Sequence, residues 1–549
     1  MIETTRGLFK AAQAMSEEPV VWAIGGIDTS GGAGITRDAI TLADINVHAC
    51  VLTTQVANQS HSIMRSATAL SVDTLNEQWQ ALESDLPPRA IKIGAIANSA
   101  QALFLCEHIV KIKQYKTSNC FVVWDPVLVS SSGGVLGELS QHSIDTLIAT
   151  VDVVTPNVKE LAQITGWPVH CEKSLLAAAQ ALIARGAQAV YVKGGHAHWQ
   201  STAIDTFVSA QAIRIFQQPR DNMGNLRGTG CMFSSALAGF VASDYDIQDA
   251  LTLANAYLHK VRNVSVFSSN SICSADQIHC AGLVGFPLTP VHYPSVRYGE
   301  NDPVWHKTPM QFPKLTNTSL GIYPVVSDVS QLEVLVKAGA VIIQLRIKFG
   351  SEDFKSIQIA KAVEIVKHTP CQLFINDDWE LAIKHGAYGV HLGQEDLETA
   401  NLQAISRAGL RLGVSTHGYC ELQRIKRLSP SYIALGHIFP TTTKDMPSKP
   451  QGLDRLSRYV RLCADIPTVA IGGINLSRIN TVASTGVSGI AVVRAVTQAA
   501  DPAAAFHDLL RRMNDAEENG EYIAENNGED IVDRITEPGA SVQHELSHE

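Results

Sequence analysis

Between residues 319 and 513, eight β-type apolar runs begin near Gly321, Ala340, Gln372, Tyr388, Arg411, Tyr432, Pro467 and Ser488. The intervals between them mostly carry helical spacing, as in Glu333 to Lys337 and Phe354 to Val366. Parallel strands need long crossovers, usually helices. Eight strand–helix repeats in about 195 residues therefore point to a compact (β/α)8, or TIM, barrel.

In that fold catalysis sits at the C-terminal ends of the strands, and the polar residues fall there. The second strand ends in Gln344-Leu345-Arg346-Ile347-Lys348, whose alternation points Gln, Arg and Lys the same way. The third ends in Asn376-Asp377, the fourth in HLGQED with Asp396, and the fifth in Gly413-Val414-Ser415. The sixth opens a threonine-rich loop between Gly436 and Gly452, with Thr441, Thr443 and Lys444. Small hydroxyls, free backbone N–H groups and an ammonium suit phosphate and pyrophosphate groups. The seventh ends in Ile471-Gly472-Gly473-Ile474 and the eighth in Val492-Val493-Arg494, the usual phosphate corner of such barrels. Each motif alone is compatible with a surface loop. Together they describe a Mg²⁺-pyrophosphate site joined to a phosphate site.

The first part of the chain has a different rhythm. Val20 to Ile24 reads as a buried strand running into GGIDTSGGAGITRD, a strand, glycine-rich turn and helix of the kind that opens α/β nucleotide sites. Apolar runs recur at Val47–Leu52, Ala90–Ile93, Phe121–Trp124, Val151–Val154 and Ala189–Val192, mostly with helical patterns between them. That alternation predicts an open, mostly parallel sheet covered on both faces. Past the strand ends lie Asp125, Asn157 with Glu160, and Lys193, a set suited to Mg²⁺ and nucleotide phosphates. Gly228-Thr229-Gly230-Cys231 then opens an apolar helix, where N–H donors and the helix dipole favour an anion. In that first turn Cys231 is expected to have a depressed pKa and to act as base or nucleophile, the alternative being a small buried residue. His196 and His198 form an H-x-H without further clustered ligands.

The pieces SGGAGI, WDPVL, TPNVKE, KGGH and GTGC resemble, in order, those of hydroxymethylpyrimidine and phosphomethylpyrimidine kinases of the ribokinase-like superfamily. The resemblance implies Cys231 as catalytic base and the amides of Gly228, Thr229, Gly230 and Cys231 as the anion hole for the transferring phosphoryl group. It puts Lys193, Asn157 and Glu160 on the ATP-phosphate and Mg²⁺ side with Asp125 nearby, and Asp38 on the pyrimidine. Asn58 stands where the family has a pyrimidine-reading Gln, and Asn225-Leu226-Arg227 replaces its D/N-T-H. These departures leave open a kinase half with another substrate or a binding role.

The barrel part resembles thiamine phosphate synthase across its whole length. That resemblance implies Asp377 and Asp396 as Mg²⁺ ligands, with Arg346, Lys348, Asn376 and Lys444 on the departing pyrophosphate. It puts Gln344 and Ser415 on the aminopyrimidine, and Thr441, Thr443, Gly473 and Val493 on the thiazole phosphate. Arg494 stands where the family has serine, so the backbone N–H survives and the hydroxyl does not. The expected activity is phosphorylation of hydroxymethylpyrimidine and its monophosphate by ATP, then condensation to thiamine phosphate. The kinase resemblance also implies a homodimer through that half.

Composition sets the frame. The expected divisions are a lead-in (1–18), the kinase (19–283), a Pro- and aromatic-rich linker (284–318), the barrel (319–513) and a tail (514–549). The tail holds eleven acidic residues against Arg534, which accounts for the whole net charge of −10. Such a tail reads as disordered, and no basic stripe remains for nucleic acid. No run reaches the roughly 18 to 20 apolar residues of a membrane span. The opening residues, with Glu3, do not read as an export signal, and ten cysteines without C-x-x-C spacing suggest a reducing cytoplasm.

Overall fold

The computed structural model describes residues 18–60, 63–114, 119–128, 134, 136–195, 197, 199–220, 226–268, 283–305, 310–441 and 448–524, without the side chains of 265–268 and 516–524. Thr443, Lys444, His196, His198, Asn225 and the acidic tail beyond 524 lie outside them.

The first half is built on a ten-stranded sheet of order β10-β9-β8-β7-β6-β5-β4-β1-β2-β3. Its central strands are β1 (Val20–Asp28), β2 (His48–Gln59), β4 (Ala90–Ile93), β5 (Phe121–Trp124), β6 (Val153–Val154) and β7 (Ala189–Val192), all paired in parallel. Antiparallel strands extend both edges: β3 (Met64–Ala69) beyond β2, and β8 (Ala203–Ser209), β9 (Ile213–Gln218) and β10 (Ser295–Arg297) beyond β7. The chain order reverses between β4 and β1, so the crevice at their C-terminal ends is the natural ligand position of an open α/β sheet. Apart from β2, the central runs have few polar residues because both faces are covered. Trp22, Trp79 and Trp124 pack on one face and Phe207, Phe233 and Tyr191 on the other.

The second half is a closed barrel of eight parallel strands, with β11 paired to β18. They are β11 (Gly321–Val326), β12 (Ile342–Leu345), β13 (Gln372–Asn376), β14 (Gly389–Leu392), β15 (Arg411–Thr416), β16 (Tyr432–Gly436), β17 (Thr468–Ile471) and β18 (Gly489–Val492). Tyr323, Phe374, Tyr432 and Val469 fill its interior, so the barrel is a packed core and not a pore.

The connecting segment packs tightly. β10 adds a strand to the first sheet, and Tyr293, Val296 and Phe312 are buried. Tyr298 lies between the Arg214 guanidinium of the first half and that of Arg424 in the barrel, at 3.6 and 4.0 Å from its ring. Tyr245 and Phe286 meet Tyr419, and Tyr419 meets Tyr459, so one apolar core runs through both halves. Among the described residues no helix is long and apolar enough to cross a membrane.

Candidate active sites

The first site lies at the C-terminal edge of the open sheet, where two glycine turns press backbone against backbone. Gly34 has φ +65°, and a Cβ there would lie 2.2 Å from the Gly26 carbonyl oxygen. Gly228 has φ +75°, and its Cβ would lie 2.3 Å from that of Gly32. Only glycine meets both demands. The turn after β1 is thereby locked to the start of the helix Thr229–Ala242, which carries Gly230 and Cys231.

Around that helix start the structure gathers most of the expected charged groups. The Lys193 ammonium donates to Asp125 at 2.5 Å and lies 3.9 Å from Glu160. Asn157 and Glu160 form the capping box of the helix Val158–Thr165. The Asn157 side chain accepts the N–H groups of Lys159 and Glu160, and Glu160 accepts that of Asn157 at 2.7 Å. Burial, partly offset by Lys193, pushes Glu160 up to about 7. Gly230 passes so near Lys193 and Asp125 that a Cβ would lie 3.1 Å from the ammonium.

Asp38 is fully buried, bound to Lys92 at 2.6 Å and accepting from Ser235 at 2.8 Å. Burial works against the Lys92 ammonium, but Asp38, Cys231 and Asp125 hold its pKa above the ordinary range. Cys231 corrects the expectation of a depressed pKa. It is buried beside Asp38 and Asp125 as well as Lys92, and burial pushes its thiol up to about 11. Lys92 and the Gly34 backbone act in the expected direction without overcoming desolvation. Asn58 points outward from β2 and donates to Ser66 on β3 at 2.9 Å, away from this cluster.

Arg227 ties the end of β1 to the turn after β2. Its guanidinium donates to the Ser60 carbonyl at 2.7 Å and to Asp28 at 3.3 Å. Lys92 and Asp28 are functional candidates that motif reading passes over. The available signal was a lysine inside the otherwise apolar strand AIKI, and an aspartate ending a buried run.

The second site is a cavity of about 1130 Å³ at the C-terminal mouth of the barrel. All the expected synthase residues that are described line it: Gln344, Arg346, Lys348, Asn376, Asp377, Asp396, Ser415, Thr441, Gly473, Val493 and Arg494. Asp377 sits at φ +62°, rare for a non-glycine residue, and its N–H donates to the His391 carbonyl at 3.0 Å. Desolvation and the facing Asp396 carboxylate push Asp377 up to about 6. Two mutually repelling carboxylates beside Arg346 are a donor set that would fit Mg²⁺. Among the described residues no group of three or more His, Cys, Asp or Glu is placed to hold a metal.

Below the mouth runs a polar relay absent from the motif reading. His391 contacts Ser415 at 2.8 Å and Tyr432 at 2.7 Å, and Tyr432 contacts Tyr323 at 2.8 Å. Gln344 donates to Tyr323 at 3.4 Å. Ser415 and Gln344 are therefore oriented by a shared chain of buried hydroxyls. Gly473, at φ +66°, passes Pro440 so closely that a Cβ would lie 2.5 Å from its carbonyl oxygen.

A family model for thiamine monophosphate synthase matches residues 322–496, and one for phosphomethylpyrimidine kinase matches residues 28–271. The thiamine-phosphate synthase of Proteus mirabilis is 57% identical over 186 residues, 34% of this chain and 86% of that protein. The chain belongs to the thiamine-phosphate synthase family. Its synthase domain follows a phosphomethylpyrimidine kinase domain in the same polypeptide, and the two supply hydroxymethylpyrimidine phosphate kinase and thiamine-phosphate synthase activities. The thiamine-phosphate synthase of Serratia proteamaculans is 55% identical over 202 residues, 37% of this chain and 95% of that protein. Among solved structures, a phosphomethylpyrimidine kinase from Clostridium difficile is 28% identical, covering 44% of this chain and 98% of that one, with a TM-score of 0.38. A thiamine phosphate pyrophosphorylase from Pyrococcus furiosus is 27% identical, covering 36% and 98%, with a TM-score of 0.33.

Proposed function

We propose that the kinase site performs both phosphorylations of hydroxymethylpyrimidine, and that the barrel joins the resulting pyrophosphate to hydroxyethylthiazole phosphate. In the first step Cys231 takes the hydroxyl proton as the alcohol oxygen attacks the γ-phosphorus of ATP, and ADP leaves. The amides from Gly228 to Cys231 hold the transferring group, and Lys193 balances the phosphate charge. In the second step an oxygen of the monophosphate attacks a second ATP, and no proton need be removed. Asp125, Asn157 and Glu160 serve the ATP side, and Asp38 orients the acceptor through Lys92 and Ser235.

In the barrel the pyrimidine–CH₂–O bond breaks heterolytically, and pyrophosphate departs with the electron pair. Arg346, Lys348, Asn376 and Lys444 stabilise that charge. Gln344 and Ser415 hold the aminopyrimidine, which disperses the cation. Thr441, Thr443 and the backbone at Gly473, Val493 and Arg494 hold the thiazole phosphate, so that the thiazole nitrogen captures the cation and closes the C–N bond. Asp377 and Asp396 would hold Mg²⁺, which supplies further neutralisation of the pyrophosphate.

The observation that carries this reading is the convergence of two acids, two cations and the pyrimidine- and phosphate-side groups on one barrel-mouth cavity. The test supplies hydroxymethylpyrimidine, Mg-ATP and thiazole phosphate to the full chain and follows thiamine phosphate by mass. Product only from preformed pyrimidine pyrophosphate overturns the first-step assignment. A second reading, a kinase half that takes another vitamin-like alcohol, draws on Arg227, whose guanidinium joins Asp28 to the Ser60 carbonyl at the strand ends. Competing hydroxymethylpyrimidine against pyridoxal separates the two. We also infer a cytoplasmic homodimer formed through the kinase half, to be checked by light scattering.

A further inference from the structure

We propose that Asp249, a residue of the kinase half, is a positioning residue for the synthase reaction, because its carboxylate anchors the barrel loop that carries Ser415 and His417. After β15 the chain passes through His417 and Gly418 into the helix Tyr419–Ile425. Asp249 lies in the first turn of the kinase helix Ile247–Ser268, is almost fully buried, and accepts the Cys420 N–H at 2.9 Å.

A helix start normally receives such a bond from the side chain of its own N-cap residue. Here the N-cap is Gly418, which has no side chain, and the acceptor comes from a residue 171 positions earlier. The fit is close. A Cβ on Gly418 would lie 2.4 Å from one Asp249 carboxylate oxygen and 2.5 Å from the other. Asp249 and Gly418 are thus matched across the junction.

The same barrel helix is gripped from outside the barrel a second time. Arg424, fully buried, donates to Asp302 of the connecting segment at 2.7 Å and to Glu398 at 2.6 Å. It also reaches Gln394 at 3.4 Å, and Gln394 donates to the Ser415 carbonyl at 2.8 Å. Within the loop, Glu421 accepts the His417 N–H at 2.7 Å. The end of β15 is therefore fixed on one side through Asp249 and on the other through Asp302, neither of which belongs to the barrel. Both Ser415 and His417 line the cavity. The kinase half and the connecting segment in this way complete the pyrimidine side of the synthase mouth.

The proposal rests on the reading that Ser415 contacts the pyrimidine pyrophosphate. Its test uses the full chain with Asp249→Ala, Asp249→Asn, Gly418→Ala and Ser415→Ala. Asp249→Ala is expected to raise the synthase KM for pyrimidine pyrophosphate about tenfold, with kcat less affected and kinase turnover unchanged. Asp249→Asn, which keeps an oxygen acceptor, should restore most of that loss, and Gly418→Ala should reproduce it by displacing the carboxylate. Amide hydrogen exchange over residues 413–425 should rise in Asp249→Ala. Unchanged exchange, an unchanged KM, or kinase and synthase falling in step would each overturn the proposal. A silent Ser415→Ala, beside a raised KM in Asp249→Ala, would retire the Ser415 assignment and leave the anchor standing.

Discussion

Lys92→Met is the perturbation whose consequence the structure fixes most tightly. Lys92 and Asp38 are both completely enclosed, and their ion pair is 2.6 Å long. Met matches the lysine stem in length but carries no charge, so Asp38 keeps only the Ser235 hydroxyl at 2.8 Å. Removing one partner of a buried pair costs about 3–5 kcal/mol. At about 2–4 °C per kcal/mol for a domain of this size, the thermal transition should fall by roughly 6–20 °C. Differential scanning calorimetry, with residual kinase turnover after heating, measures it. Lys92→Met/Asp38→Asn should recover most of the loss, because neither charge is then stranded. Lys92 is also the strongest influence lowering the Cys231 thiol pKa, so Lys92→Met should slow alkylation of Cys231 by iodoacetamide. A transition within 2 °C of the parent protein would refute the reasoning, since an enclosed carboxylate without its cation cannot be that cheap.

With the Cys231 thiol pushed up to about 11 and the thiolate as base, the reactive fraction grows about tenfold per pH unit below that value. Kinase kcat/KM for the alcohol acceptor should therefore climb with that slope from pH 7 to 9, and a plateau below pH 8 would exclude the free thiolate. Asp377→Asn should lower synthase turnover by at least about a hundredfold while leaving the kinase intact, and full synthase turnover would sink the metal assignment. Gly473→Ala combines a positive φ with a Cβ 2.5 Å from the Pro440 carbonyl oxygen, so the KM for thiazole phosphate should rise about tenfold; an unchanged KM removes that backbone from the phosphate site. Tyr432→Phe removes the hydroxyl that His391 and Tyr323 both contact, costing about 1–3 kcal/mol, which thermal melting should register.

The barrel was legible because its repeat is long: the apolar strand recurs eight times, and a polar strand end accompanies it seven times. Each strand begins within two residues of the run that announced it, as with Arg411 and Tyr432. The first sheet was legible only in its parallel centre. β3, β8, β9 and β10 escaped because these antiparallel flanking strands are partly exposed and mixed in composition, and β10 has only three residues. Motifs placed Lys193, Asp125 and Cys231 together, but the thiol's protonation depended on enclosure, which spacing does not encode. The Lys92–Asp38 pair joins a strand to a helix 54 residues away, and no local pattern joins them. The same holds for Asp249 and Gly418, since a glycine at a helix start looks like ordinary chain reversal until its cap is seen arriving from the other half.

The aromatic cluster joining the halves also has a meaning in time. A ribosome delivers Tyr245, Phe286 and Tyr293 well before Tyr419 and Tyr459, their partners in the finished core. At about 5–20 residues per second, the interval from Tyr293 to Tyr459 lasts on the order of 8–33 s. During it a nascent kinase half presents a sticky ring-lined face to the crowded cell, and the growing barrel must reach that face before a chaperone or another nascent chain does.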